Sequence, residues 1–135
     1  MNTLTPNLEL AGRISLALIF LMSGLGKIGQ YAGTQAYMAA AGVPGQLLTL
    51  AIVLEVAGAL AIILGWRTRL AALALAGFSL LAALLFHTRF QEQIQMILFL
   101  KNVAIGGGFL LLAAHGAGLW SLDARRAAVP KQVNI

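Results

Sequence analysis

Apolar residues run through the chain in four long blocks, broken by short polar or glycine-rich stretches. The blocks cover about 8–26, 46–65, 70–87 and 94–114. A helix of about 20 residues crosses a hydrocarbon layer of roughly 30 Å. Each block has that length and lacks the strict alternation of a barrel strand. The pattern therefore predicts an all-α fold: four membrane-spanning helices in an antiparallel bundle, one domain over residues 1–135.

The connections differ in kind. Arg67-Thr68-Arg69 is a tight turn that makes the second and third spans antiparallel neighbours. The first loop, about Ile28–Gly45, is longer. Thr34 is a helix cap and Gly42 a helix stop by residue type, and Val43-Pro44-Gly45 turns the chain onward. A short interfacial helix is expected there, an ordered loop being the alternative, with Tyr31 and Tyr37 at headgroup depth. Small residues predict where helices approach closely: Gly24 and Gly26, Ala57 and Ala61, Ala72 and Ala76, and the Gly106–Gly108 triplet.

Composition sharpens this picture. Sixty per cent of the 135 residues are hydrophobic and 10% are charged, too few charges to coat a soluble globule. Disorder is excluded by the same figures. Nucleic-acid binding is not expected, because the basic residues behind the net charge of +5 are scattered. With no cysteine, disulfide relays and thiolate metal sites are excluded. Arg13 lies inside the first apolar block and no basic region precedes it, so the first helix is expected to be retained rather than cleaved as a signal.

Lys and Arg in short loops set orientation. Arg13, Arg67, Arg69, Arg125, Arg126 and Lys131 fall at one end, and Lys27 and Arg89 at the other. Both termini are therefore expected on the cytoplasmic side, with Trp66 and Trp120 at that interface.

Ionisable residues within hydrocarbon are functional candidates. Glu55 is tenth of twenty residues in the second span and Lys101 eighth in the fourth, within roughly 3 Å in depth at 1.5 Å per residue. Side chains lean toward a helix N-terminus. Lys27 and His87, at the far ends of the first and third spans, therefore lean back into the same half. The expected site is a polar pocket formed by Lys27, Glu55, His87 and Lys101, with Asn102, and Gln95 nearby. Simpler readings stand beside it. Glu55 and Lys101 alone make a register-fixing ion pair. Lys27 alone is an interfacial anchor. Arg13 pairs with Glu9 one turn before it, or supports the pocket from behind its lining residues. His87 and His115 fall at opposite ends, which disfavours a bis-histidine haem, and one Glu with one His is too few ligands for a metal site.

The chain resembles the DoxX-like family of small bacterial inner-membrane proteins, most closely its YqjF-type members. The resemblance rests on Gly12-Arg13, Phe20-Leu21-Met22-Ser23-Gly24 and Lys27 in the first span. It continues through Tyr31-Ala32-Gly33-Thr34-Gln35, Gly42-Val43-Pro44-Gly45, Leu54-Glu55 with Gly58, and Leu64-Gly65-Trp66-Arg67-Thr68-Arg69. Phe86-His87, Lys101-Asn102, Gly107-Gly108-Phe109-Leu110-Leu111 and Ser121-Leu122-Asp123 complete it. The resemblance implies four helices and a bacterial inner-membrane location. The family takes its name from a small subunit of a thiosulfate:quinone oxidoreductase, and other members are linked with oxidative or thiol stress. It has no established catalytic residues to carry over.

Two function classes follow. One is a redox-associated protein, a subunit of a quinone-linked oxidoreductase, that binds a quinone-like or other carbonyl or anionic ligand in the outer half. It would carry no covalent cofactor, and its partner is a redox protein or a second copy. The other is a non-enzymatic scaffold that binds lipid or a partner. A transporter fits less well, because the inner half is apolar apart from Arg13.

Overall fold

The computed structural model describes residues 3–129. Six α-helices follow in order: α1 Leu4–Gly29, α2 Tyr31–Ala40, α3 Leu48–Leu64, α4 Thr68–Phe86, α5 Gln93–His115 and α6 Leu122–Ala128. A 3₁₀ turn, Gly45–Leu47, leads into α3. No strand occurs among the described residues. Four helices, α1, α3, α4 and α5, are long and apolar enough to span a membrane. They pack as an all-α antiparallel bundle, in which α1 lies on α3, α3 on α4 and α4 on α5. One end, here the terminal end, gathers the start of α1, the α3–α4 turn, the end of α5, and α6. The opposite end carries α2 and the α4–α5 loop.

Why α1 packs as it does is legible in its spacing. Arg13, Ala17, Phe20 and Gly24 are its buried residues, recurring every three or four positions as a helix face must. On α3 the corresponding stripe is Leu48, Glu55, Ala59 and Ile62. Phe20 stands at the centre, edge-on to Phe109 at 5.5 Å and to Phe78 at 6.2 Å between ring centroids. Ala17, Ala59, Ala72 and Ala76 fill the core around it. Their small side chains let the backbones approach.

Not every small residue has the expected role. A Cβ at Gly24 would stand 2.7 Å from Val56 and 3.2 Å from the Cβ of Glu55, so the close approach of α1 to α3 at this point requires a glycine. Gly106 and Gly108 pack under Leu80 and Leu16, while Gly26 and Gly107 have open space. On α3 the contact falls at Gly58 and Ala59, not at Ala57, which is exposed. Gly and Ala types reveal the possibility of close approach, but azimuth decides it.

The short helix of the first loop is α2. Thr34 is not its cap: the helix begins at Tyr31, and the Thr34 hydroxyl donates back to the Gln30 carbonyl at 2.8 Å. Gly42, at φ +77°, ends the segment, and the Val43 amide returns to the Met38 carbonyl at 2.9 Å. Met38 is buried, Tyr37 stacks on Phe86 at 5.4 Å, and the Tyr31 hydroxyl meets Thr49 Oγ1 at 2.8 Å. These contacts close α2 over the opposite end of the bundle.

The seven-residue α6 is absent from the sequence expectation. Ser121 caps it by accepting from the Ala124 amide at 3.1 Å. Its Asp123 accepts from the Arg67 and Thr68 amides at 2.8 and 2.9 Å, and so caps α4 as well. Burial raises the Asp123 pKa, but the hydrogen bonds from Thr68 and Arg67 and the nearby Arg126 charge outweigh it, holding the carboxyl below its ordinary value.

Candidate functional site

Lys27 lies in the last turn of α1, and its side chain leans back along the helix as the Cβ direction requires. It meets Glu55, whose side chain is only 3% exposed. Lys27 Nζ donates to both carboxylate oxygens, at 2.7 and 2.8 Å, and to Ser23 Oγ at 3.0 Å. Ser23 in turn donates to Glu55 Oε1 at 3.2 Å. The three N–H bonds of an ammonium thus find three acceptors. Phe78 adds its ring face 5.8 Å from Nζ. The pair is closed and internally neutral, the form in which a buried charge is tolerated.

The expected partner of Glu55 was Lys101, and the structure corrects this. Lys101 is exposed on the outer side of α5. The inward face of α5 is Asn102, Ile105 and Phe109. Lys101 precedes Asn102 by one residue, about 100° around the helix. Depth matched Glu55, and direction did not. Lys27 is accordingly no interfacial anchor.

Beside the pair lies a cavity of about 650 Å³ between α1, α2, α3 and α4, with α5 at its back. Its lining includes Ser23, Lys27, Glu55, His87 and Asn102. Of the expected site residues, Lys27, Glu55, His87 and Asn102 therefore share one cavity, and Lys101 does not. His87 Nδ1 stands 3.3 Å from Gln95 Oε1. Ser79, fully buried, donates to the Asn102 carbonyl at 2.9 Å and holds α4 to α5. The remaining lining is mainly aliphatic and aromatic, with α2 contributing Thr34, Tyr37 and Met38 as a cover. Leu50 of α3 and Leu81 and Leu85 of α4 line it and are 66%, 54% and 42% exposed. The cavity thus opens sideways, between α3 and α4, onto the bundle surface.

Arg13 has a different role from either expectation. It is 2% exposed and lies at the terminal end, away from this cavity. Its guanidinium donates to four backbone carbonyls: Ile62 at 3.0 Å, Ile63 at 2.9 Å, Ala117 at 2.7 Å and Trp120 at 2.9 Å. The last carbonyls of a helix lack partners within it, and Arg13 supplies them at the end of α3. The same side chain ties down the loop after α5. Glu9 is not its hydrogen-bonding partner among the described residues. Gly65 makes room for this knot: at φ +69° it ends α3, and a Cβ there would collide with Ser121.

Among the described residues, no three His, Asp or Glu side chains cluster as metal ligands. His87 borders the cavity, and His115 lies in a cleft at the terminal end.

A family model described as DoxX matches residues 8–88. The chain belongs to the DoxX family. It is 53% identical over 114 residues to Inner membrane protein YqjF of Escherichia coli K12, covering 84% of this chain and 88% of that one. It is 41% identical over 127 residues to Inner membrane protein YphA of the same organism, covering 89% and 91%. No solved structure gives a significant match. The DoxX match spans α1 to the end of α4 and so includes Ser23, Lys27, Glu55 and His87. Asn102 and the α6 knot lie beyond it.

Proposed function

We propose that this DoxX protein is a redox-associated protein of the bacterial inner membrane. In this reading it binds a neutral, lipid-dissolved molecule with a carbonyl or hydroxyl head in the cavity beside Lys27 and Glu55, and a quinone-like compound fits that description best. One observation carries the reading: a hydrogen-bonded ion pair with a buried carboxylate sits in the wall of a mainly apolar cavity that opens on the side of the bundle. Small-molecule sites combine these features, with volumes of about 300–1,000 Å³ and a few polar groups among apolar ones.

Charge narrows the ligand. Lys27 and Glu55 cancel, Lys101 faces away, and His87 and Tyr37 are the other ionisable groups of the lining. An anionic ligand therefore meets no surplus cation, and a neutral carbonyl is preferred. Lys27 is 26% exposed along its side chain. Such a carbonyl takes the place of Ser23 as its third acceptor, while Asn102 and His87 offer further polar contacts. The opening between α3 and α4 admits the head from the bilayer and leaves a tail in lipid. The protein's share in this reading is binding and orientation; electrons would pass to or from a partner redox protein or a second copy's ligand.

We further infer that the terminal end faces the cytoplasm. Arg13, Arg67, Arg69, Arg125 and Arg126 lie there, against Lys27 and Arg89 at the other end. Lys131, part of the same count, lies outside the described residues.

The test is titration of a short-tailed benzoquinone, and of an aromatic carboxylate of equal size, into the protein in lipid nanodiscs. The quinone binds and the carboxylate does not. Gly77 lines the opening with open space around its Cα, so Gly77→Phe keeps the fold and weakens quinone binding. Absence of binding by both compounds would favour the scaffold reading.

A further inference from the structure

A second cavity, of about 460 Å³, lies at the terminal end and is lined by Arg67, Arg69, His115, Gly116, Ser121 and Asp123 among others. It is separate from the Lys27–Glu55 cavity and shares no lining residue with it. Its carboxylate is already engaged, since Asp123 caps α4 through the Arg67 and Thr68 amides. Its two arginines are not. Neither guanidinium has a carboxylate or carbonyl partner among the described residues. This contrasts with Arg13 a short distance away, which donates to four backbone carbonyls.

Three further features shape the cleft. Arg67 has φ +46°, the left-handed region that a long side chain seldom adopts, and its guanidinium lies 5.6 Å from the Trp66 ring. Arg69 runs against Gly116, where a Cβ would come within 3.4 Å of Nε and Nη2 and where φ is +82°. Glycine at 116 permits the turn, and the Arg69 guanidinium packs against it. Trp66 and Trp120 are 46% and 60% exposed at this end of the spans, the depth at which indoles lie beside headgroups. Arg67 and Arg69 thus leave two planar forks without an acceptor among the described residues, beside two exposed indoles.

We propose that this cleft binds the phosphate of an anionic phospholipid, held by Arg67 and Arg69, with His115 at its edge. Guanidinium forks match phosphate oxygens in geometry and charge. The bound headgroup would bridge the start of α4 to the end of α5, beside the α6 knot.

The experiment follows thermal unfolding by tryptophan fluorescence in detergent, with added phosphatidylglycerol, phosphatidylcholine or inorganic phosphate. Phosphatidylglycerol raises the midpoint and phosphatidylcholine does not. In Arg67→Gln/Arg69→Gln the apparent affinity for phosphatidylglycerol falls about tenfold, the size of one charge-assisted hydrogen bond. A matching shift with inorganic phosphate identifies a free-phosphate source for the same chemistry, and its absence identifies the lipid. Arg69→Lys keeps the charge and loses the fork, so it gives an intermediate affinity even where the double variant folds poorly. Equal response of wild type and Arg69→Lys together with Arg67→Gln/Arg69→Gln, or loss only in Arg125→Gln/Arg126→Gln, would overturn the site.

Discussion

Arg13 and Lys27 lie on one stripe of one helix, about 21 Å apart at 1.5 Å per residue, and the fold treats them in opposite ways. Arg13 is enclosed by four backbone carbonyls at the terminal end. Lys27 is held by a side-chain carboxylate in the wall of a large cavity in the opposite half. A guanidinium surrounded by main chain has no freedom to meet anything else. An ammonium held by a carboxylate and a serine can exchange one acceptor for another. The first is a structural knot, and the second is the proposed site.

Substitution separates them most strongly at Arg13. Arg13→Met leaves four carbonyls without their donor in a place of little water, and the bundle should lose about 4 kcal/mol or more. Unfolding in a denaturing detergent mixture measures it. No second substitution rescues this loss, because the partners are backbone groups.

The pair behaves otherwise. Lys27→Met or Glu55→Leu alone strands a buried charge and costs about 3 kcal/mol, whereas the double variant regains most of the loss. The same unfolding measurement, run as a double-mutant cycle, reports the coupling. Additive losses would make the pair no different in kind from Arg13.

Acid tests the terminal knot from another side. The Asp123 carboxyl is held below its ordinary value of 3.8 by the folded state. Its contribution is therefore fully present above that value and lost as the pH falls through the lower folded value. Docking of α6 should weaken in that acidic window. Hydrogen exchange over Leu122–Ala128, compared with Asp123→Asn at neutral pH, follows it.

The smallest expected effect is at Lys101. Its side chain faces outward, so Lys101→Leu should change stability by less than about 1 kcal/mol. A loss as large as that of Lys27→Met would restore Lys101 to the site.

These contrasts show what a linear reading reaches. The four spans were legible because twenty-residue apolar runs have few other uses, and each helix falls within a few residues of its expected place. The meeting of Lys27, Glu55 and His87 in one half followed from depth and side-chain lean. Lys101 was misplaced because depth does not fix azimuth. The Asn102, Ile105 and Phe109 spacing, which marks the buried face of α5, carried the missing information. The role of Arg13 was illegible for a deeper reason: its acceptors are main-chain carbonyls brought together by three helix ends. Hydropathy cannot detect α6, at seven residues, but Ser121 followed by Asp123 is a helix-start signal that was there to read.

Binding to the cavity bears most directly on the claim that the Lys27–Glu55 pair is the site. The measurement is the affinity of a short-tailed benzoquinone for wild type, Lys27→Met/Glu55→Leu and Lys101→Leu, each confirmed folded by its unfolding midpoint. The account predicts affinity at least about tenfold weaker in the double variant, equivalent to about 1.4 kcal/mol, and unchanged in Lys101→Leu. Equal affinity in wild type and the double variant, or a loss confined to Lys101→Leu, would contradict it.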